Sequence, residues 1–385
     1  MHVAQWVQVG NDIDGESPGD ESGFSVALSS NGAVVAIGAI GNDDKAGHVR
    51  VHIDAGGGWE QRGSDLDGSA ACDLFGFSVS LSADGTILAV GATYADGVNG
   101  VNSGRVYLSQ WISNAWQPVG STLDGARAGD EFGSSVALSD DGTILAVGAL
   151  LNDAGGFNAG HVRVFAWTGT DWTQWGNDLL GSSPLDWFGG SVSLSPDGCI
   201  LAIGGDQGGN DGPGYVRVYH WSGSAWQQQG STLTGFSSND AFGKSVSLSG
   251  DGSIVAVGAS LGNYAGVYRN DGTDWVQIGQ TIRGEVSTDF FGWSVSLSLD
   301  GKTILIGGIF DGTNGFESGQ ASVFRLSPNE QDWRQVGQKL VGDAPFDWFG
   351  RSTSISDSGT RISIGAVLND GNGVDAGHVR VYDLQ

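Results

Sequence analysis

Aromatic side chains beside carboxylates are the strongest candidates for ligand chemistry in this 385-residue sequence. Three such pairs each lie directly before a Phe-Gly dipeptide: Asp186 with Trp187, Asp289 with Phe290, and Asp347 with Trp348. A flat ring beside a carboxylate can stack on a sugar or enclose a Lys or Arg side chain. The alternative is that the rings cover a junction between structural units, and this alternative is slightly favoured.

An aspartate stands in this position in every copy of a motif that occurs seven times. The other four aspartates are Asp20, Asp73, Asp130 and Asp240. One interpretation is a ring of carboxylates around an opening. The other is a turn in which each side chain accepts backbone N–H groups. We favour the structural interpretation, because a binding site usually breaks a repeat whereas a structural device recurs in it.

Loops rich in Asn, Asp and Gly offer oxygen ligands that would suit calcium. The best metal candidates are Asp153, Asn158, Asp370 and Asp375, in the segments NDAGGFNAG and NDGNGVDAG. The spacing matches neither an EF-hand nor a nonapeptide repeat. Calcium is therefore a weak prediction, and no other cofactor is indicated.

Other catalytic chemistry finds little support in the residue pattern. No Ser-His-Asp or Cys-His pairing stands out, and the chain has no phosphate-binding G-x-x-x-x-G-K-S/T segment. Cys72 and Cys199 occupy different repeat positions, so we expect two free thiols rather than a disulfide.

The charge is strongly acidic, with 43 Asp and Glu against 17 Lys and Arg and a formal net charge of −26. Binding to nucleic-acid phosphates is disfavoured, because no basic stripe is present. No apolar run is long enough to span a membrane. Most of the acidic residues fall in the loops after the second strand of each repeat and in the connections between repeats. We therefore expect one acidic face that attracts cations or basic partners, with simple solvation as the alternative.

The candidate residues belong to seven repeats of about 54 residues each, which is the period of a blade-like unit. Each repeat predicts four strands, such as Phe132–Ser139, Thr143–Ala149, Gly160–Trp167 and Trp172–Gly176. Asp-Gly and Asn-Gly pairs supply the tight turns. We predict an all-β, seven-bladed propeller with four antiparallel strands per blade and no helix.

A single domain covers residues 1–385, with repeats beginning near 20, 73, 130, 186, 240, 289 and 347. The chain ends on a third strand and begins on a fourth. Residues 1–15 are therefore expected to complete the last blade, which closes the ring and removes exposed sheet edges.

The strings FGFSVSLSADGTILAVGA and DEFGSSVALSDDGTILAVGA resemble FG-GAP repeats, the blades of integrin α-subunit propellers. The W-x-Q-x-G motif that precedes them is more similar to the bacterial and algal variety, which is often secreted or attached to surfaces. The integrin-type calcium loop between the first and second strands is replaced by short turns, so its ligands do not carry over. The resemblance therefore implies the fold more strongly than any function.

We predict a non-enzymatic binding or adhesion module, and a monomer, whose acidic face recognises a glycan, a calcium-bridged surface or a basic protein. The alternatives are a polysaccharide lyase or hydrolase and an intracellular scaffold. An extracellular or cell-surface location is expected. The cytoplasm stays open, because no signal peptide is recognisable in this sequence.

Overall fold

The computed structural model describes residues 4–385. Residues 1–3, which the sequence reading assigns with the rest of 1–15 to the last blade, lie outside that range. The described chain forms seven antiparallel sheets arranged as a seven-bladed propeller, as predicted. We number the blades 1 to 7 by the order of their first strands, and number the strands of a blade from the central axis outward.

Three long strands form the inner part of every blade. The first strands are Ser22–Leu28, Phe75–Leu81, Phe132–Leu138, Phe188–Leu194, Phe242–Leu248, Phe291–Leu297 and Phe349–Ile355. The second strands are Val34–Ala39, Ile87–Ala92, Ile144–Ala149, Ile200–Gly205, Ile254–Ala259, Thr303–Gly308 and Arg361–Ala366. The third strands are His48–Asp54, Arg105–Ile112, His161–Trp167, Tyr215–Trp221, Tyr264–Asn270, Gln320–Leu326 and His378–Leu384.

Two short strands share the outer edge of each blade. The fourth strands are Trp59–Gln61, Ala115–Pro118, Trp172–Gln174, Trp226–Gln228, Trp275–Gln277, Trp333–Gln335 and, for blade 7, Trp6–Gln8. The fifth strands are Leu66–Asp67, Leu123–Asp124, Leu179–Leu180, Leu233–Thr234, Ile282–Arg283, Leu340–Val341 and Ile13–Asp14. The fifth strand was not predicted. It pairs with the start of the third strand, where the fourth strand no longer reaches.

Blade 7 takes its outer edge from the start of the chain. Trp6 pairs with Leu384, and Ile13 pairs with Val379. The last third strand is therefore covered by residues that precede blade 1. This closure links the two ends of the described chain and leaves no inter-blade gap in the ring.

One side-chain hydrogen bond that recurs in every repeat joins neighbouring blades. The tryptophan of each W-x-Q-x-G motif, and Trp116 of the W-Q-P-V-G segment in blade 2, donates its indole N–H to a backbone carbonyl of the preceding blade. The partners are Trp6–Val336, Trp59–Val9, Trp116–Arg62, Trp172–Val119, Trp226–Trp175, Trp275–Gln229 and Trp333–Ile278. Because each bond satisfies a polar group at a largely buried site, the motif stabilises the contact between neighbouring blades.

A second set of inter-blade bonds surrounds the axis. One serine of each first strand donates its hydroxyl to a glycine carbonyl of the next blade, the pairs being Ser25–Gly76, Ser78–Gly133, Ser135–Gly189, Ser191–Gly243, Ser245–Gly292, Ser294–Gly350 and Ser352–Gly23. The last pair returns to blade 1, so the serines form a closed ring. The sequence analysis did not predict this ring.

The hydrophobic core lies between blades rather than inside any one of them. One cluster joins Ile254 and Val267 of blade 5 to Phe291, Ile306 and Trp333 of blade 6. The second strands read as continuous apolar runs because neighbouring blades cover both of their faces.

Helical structure is confined to one turn among the described residues, Asn42–Lys45, where Asp43 and Asp44 have left-handed backbone angles. Within residues 4–385 no helix is both long enough and apolar enough to cross a bilayer.

Candidate functional site

A β-bulge at the start of each first strand creates the most distinctive feature of the propeller axis. In blade 3, Phe132 pairs with Ala149 and Ser135 pairs with Gly148, so Gly133 and Ser134 have no partner on the second strand. Gly133 has a φ of +94°, and a Cβ there would lie 2.9 Å from the Arg105 carbonyl oxygen. Glycine is required at this position, and the bulge redirects the following side chain.

The residue after this glycine, which we call the bulge residue, faces the central channel in every blade. From blade 1 to blade 7 the bulge residues are Phe24, Phe77, Ser134, Gly190, Lys244, Trp293 and Arg351. All seven line one cavity of about 250 Å³, together with Leu150, Trp187 and Asp206. The cavity lies at the channel mouth on the side of the blade connections, and we call it the axial pocket.

The bulge residues are unevenly distributed around the ring. The small bulge residues of blades 3 and 4 leave the cavity open on their side, whereas those of blades 5, 6, 7, 1 and 2 supply cations and aromatic rings. The Arg351 guanidinium lies 4.0 Å from the centre of the Phe24 ring and 5.5 Å from that of Trp293. The Phe24 and Phe77 rings are 5.0 Å apart. The wall on this side of the pocket therefore consists of aromatic rings with positively charged groups between them.

Lys244 is the second cation of the axial pocket. Its Nζ lies 4.8 Å from the Trp293 ring centre and 3.4 Å from an Asp206 carboxylate oxygen. Asp206 is the only carboxylate among the residues that line the pocket. Trp187 contributes a buried indole N–H that has no hydrogen-bond partner in residues 4–385. The pocket consequently offers more donors than acceptors.

The three aromatic residues predicted as a stacking surface are half-buried and do not share one surface. Each has a positive φ, near 53°, as does the residue at this position in every blade. Trp187 lines the axial pocket, and its contact with a ligand stays a prediction. Phe290 stacks on Phe310 at 4.5 Å, and the Trp348 indole donates to a Glu317 carboxylate oxygen at 3.0 Å. Phe290 and Trp348 thus form a side cluster next to the pocket.

The aspartates paired with those rings, Asp186, Asp289 and Asp347, lie below the surface, and their role as binding residues stays a prediction. All three are buried. Asp347, for example, accepts the backbone N–H groups of Asp343 and Ala344 at 2.8 and 2.9 Å. The carboxylates are occupied by the blade connection itself.

The remaining four aspartates occupy the same environment. Asp20, Asp73, Asp130 and Asp240 are buried and accept a backbone N–H from three or four residues earlier. Burial raises the pKa of Asp130, an effect that hydrogen bonds from Asn152 and Arg127 oppose. The geometry matches the turn interpretation and leaves no open ring of carboxylates at the channel mouth.

Comparison with known proteins agrees with this architecture. The family model described as FG-GAP repeat matches residues 65–109, 122–165 and 284–324. These segments fall in blades 1–2, 2–3 and 5–6, and the structure repeats the same unit in all seven blades. The chain is an FG-GAP repeat propeller.

Similarity to solved structures extends over most of this FG-GAP propeller. Hydrazine synthase from Kuenenia stuttgartiensis is 13% identical, with a TM-score of 0.57 over 93% of this chain and 94% of that chain. A putative 6-phosphogluconolactonase from Bacteroides uniformis is 14% identical, with a TM-score of 0.57 over 84% of this chain and 85% of that one. At such identities the likeness concerns the fold alone. No curated protein matches the sequence.

The loops predicted to bind calcium are held by their own backbone. The carboxylate of Asp153 accepts the Asn158 backbone N–H at 2.8 Å, and that of Asp370 accepts the Asp375 N–H at 2.9 Å. Among the described residues, neither loop belongs to a group of three carboxylate, His or Cys ligands. The four predicted ligands thus form two loop-stabilising pairs, and calcium binding by them stays a prediction.

Within residues 4–385, two groups bring possible ligand atoms within 4.8 Å of one another: Asp12, Asp14 and His378, and Glu16, His48 and Asp65. Arg380 already holds both oxygens of Asp12, at 2.9 and 2.7 Å. Burial lowers the pKa values of His378 and His48. The Nε2 atoms of His48 and His378 are buried and have no hydrogen-bond partner within residues 4–385.

Exposed apolar residues lie at the ends of several loops between second and third strands. Four loops between second and third strands share a Gly-Phe or Gly-Val step, and the apolar residue is 64–67% exposed in each: Val101, Phe157, Phe316 and Val374. Phe316 also packs edge-on against the exposed Phe346 at 5.5 Å. We call these four residues the rim tips. They stand among acidic loop residues such as Asp153 and Asp370.

The bulge residues are a candidate functional feature that the sequence analysis did not predict. Attention to the residue before Phe-Gly identified Trp187 but passed over Lys244, Trp293 and Arg351, which follow the glycine. A signal was present: the position after the glycine varies from copy to copy, as the position before the phenylalanine does, and it reads F, F, S, G, K, W and R.

Proposed function

We propose that this FG-GAP propeller is a non-enzymatic recognition module that binds a sugar-sized ligand in its axial pocket. The observation that carries the proposal is the asymmetry of the bulge ring. Seven equivalent backbone positions place two small residues on one side and two cations with three aromatic rings on the other. Packing alone would not require such division, because the serine ring already joins the blades around the axis.

The size and lining of the pocket suit a small ring-shaped ligand. Its volume of about 250 Å³ is just below the roughly 300–1,000 Å³ of pockets for drug-sized ligands. Trp187, Trp293 and Phe77 offer faces or edges for stacking, and charged groups offer hydrogen bonds. A single saccharide unit at the end of a glycan fits this combination better than an extended chain.

The competing function is a polysaccharide-acting enzyme. Glycoside hydrolysis usually requires two carboxylates that flank the scissile bond. The axial pocket has one, Asp206, and its carboxylate already lies 3.4 Å from the Lys244 ammonium. This pairing favours binding over hydrolysis.

The proposal is tested by filling the pocket without changing its charge. Gly190 is exposed, and a Cβ added there would meet only the Trp187 carbonyl oxygen, at 3.2 Å. We expect wild-type protein to bind members of a glycan panel saturably, Gly190→Phe to lose that binding, and both to unfold at similar temperatures. Glycan binding that survives in Gly190→Phe, or its absence from wild type, would contradict the proposal. Release of new reducing ends or unsaturated products would favour the enzyme.

Docking of a basic protein is a second candidate function, favoured by the rim tips. Exposed apolar residues set among carboxylates are typical of protein-interaction surfaces. Replacing Phe157 and Phe316 by Ser should abolish such docking and leave glycan binding unchanged. A calcium-bridged contact would instead be lost with a chelator. An extracellular or cell-surface location and a monomeric state belong to the same proposal.

A further inference from the structure

Arg351 carries a charge that the propeller itself does not compensate. Its guanidinium forms no hydrogen bond or ion pair within residues 4–385 and rests on the Phe24 and Trp293 rings. Burial lowers the pKa of Arg351 to about 10, and Glu21 opposes the shift only in part. Buried or half-buried charges in proteins are normally paired, because desolvation without a partner is costly.

The other polar groups of the axial pocket point to the same kind of partner. The Trp187 indole N–H is buried and unpartnered, and the Lys244 ammonium has one long contact to Asp206. A ligand that supplies acceptor oxygens would satisfy these donors, whereas a hydroxyl-only sugar would leave the guanidinium unpaired. The planar fork of arginine matches a carboxylate with two parallel hydrogen bonds.

We propose that the axial pocket selects acidic sugars, an inference that rests on the proposed function. Arg351 binds the sugar carboxylate, and the neighbouring rings stack on the sugar. Lys244 and Trp187 donate to the remaining oxygens. The net charge of −26 does not prevent this, because at physiological ionic strength exposed charges are screened beyond roughly 8 Å. Contacts inside the pocket therefore decide the selectivity.

The experiment compares matched acidic and neutral sugars by titration calorimetry. The probes are glucuronate, galacturonate and mannuronate, each against its neutral parent glucose, galactose or mannose. The proteins are wild type, Arg351→Met, Arg351→Lys and Arg217→Met. Arg217 is the control: it lies in the third strand of blade 4 over Tyr215, outside the pocket, and its replacement changes the net charge equally.

We expect at least one uronate to bind wild type about ten- to a hundredfold more tightly than its parent, the range for a charge-assisted hydrogen bond. Arg351→Met should lose this preference, Arg351→Lys should keep part of it, and Arg217→Met should keep all of it. Equal affinity for both sugars of every pair, or a preference that survives in Arg351→Met, overturns the acidic-sugar inference alone. Binding that also persists in Gly190→Phe overturns the axial site itself.

Discussion

Removing the carboxylate of Asp186 should destabilise the propeller far more than the same change at Asp289. Asp186 is fully buried and accepts four strong hydrogen bonds: from the backbone N–H groups of Ser182 and Ser183 at 3.0 and 2.9 Å, from the Tyr215 hydroxyl at 2.9 Å and from the Gln207 amide at 2.8 Å. Asp289 accepts one, from the Val286 N–H at 3.0 Å.

The magnitude follows from which donors can find new partners. The Tyr215 and Gln207 groups can rotate, but the two backbone N–H groups are fixed by the blade connection. At about 1.5–3 kcal/mol for each bond to a charged acceptor, Asp186→Ala should cost about 3–6 kcal/mol and Asp289→Ala about half of that. With about 2.1 cal/mol/K per residue, the unfolding temperature should fall by about 4–7 °C and about 2–4 °C respectively.

Thermal unfolding followed by circular dichroism at one scan rate measures both variants. Asp186→Asn serves as the matched control, because its amide oxygen can still accept the two backbone N–H groups, and it should lose less stability than Asp186→Ala. Equal losses at positions 186 and 289, or an unchanged unfolding temperature for Asp186→Ala, would refute the assignment of these aspartates to the blade connection.

Two further predictions concern pH and the indole hydrogen bonds between blades. Burial lowers the pKa of His161 from its usual 6.5 to about 4. Its neutral form therefore stabilises the fold above pH 6.5, and this contribution of about 3 kcal/mol is lost as the pH falls towards 4. His161→Leu should flatten the pH profile of the unfolding temperature between pH 6.5 and 4, and parallel profiles for wild type and variant would contradict this. Trp275→Phe removes the indole hydrogen bond to the Gln229 carbonyl, which is 2.8 Å long, and should lower the free energy of unfolding in denaturant by about 1–3 kcal/mol. Trp172→Phe should cost less, because its bond to the Val119 carbonyl is 3.3 Å long. A larger loss of stability for Trp172→Phe would count against the role of these bonds in joining the blades.

The fold could be predicted because its determinants are local and recur. Asp-Gly turns, apolar second strands and the W-x-Q-x-G motif each indicate one element, and repetition of the whole unit indicates the ring. Local patterns could not reveal the fifth strand, since two residues such as Leu179 and Leu180 carry no periodicity. The serine ring was also invisible, because the acceptor for Ser135 is a glycine carbonyl 54 residues away.

The candidate site was harder to predict, because side-chain direction depends on the bulge. An unbroken alternation along FGRSTSI would not single out Arg351 as a residue of the channel. The bulge at Gly350 leaves the arginine unpaired on the strand and directs it to the axis, which only the register reveals. Trp187 was found because its position before the bulge already breaks the repeat, whereas its partner Asp186 carries the same residue type as every other blade.

Positions that repeat in every blade and positions that vary between blades therefore have different roles in this propeller. Aspartate, glycine, serine and tryptophan recur because each satisfies a backbone group that every blade presents, and their replacement should be felt in stability. The bulge residue satisfies nothing common to all blades, since serine and glycine occupy it as well as lysine, tryptophan and arginine. Selection for stability alone leaves Arg351 unexplained, because withdrawing a guanidinium partly from water without an ion pair costs free energy. A ligand that pairs with it accounts for both the charge and the empty space opposite.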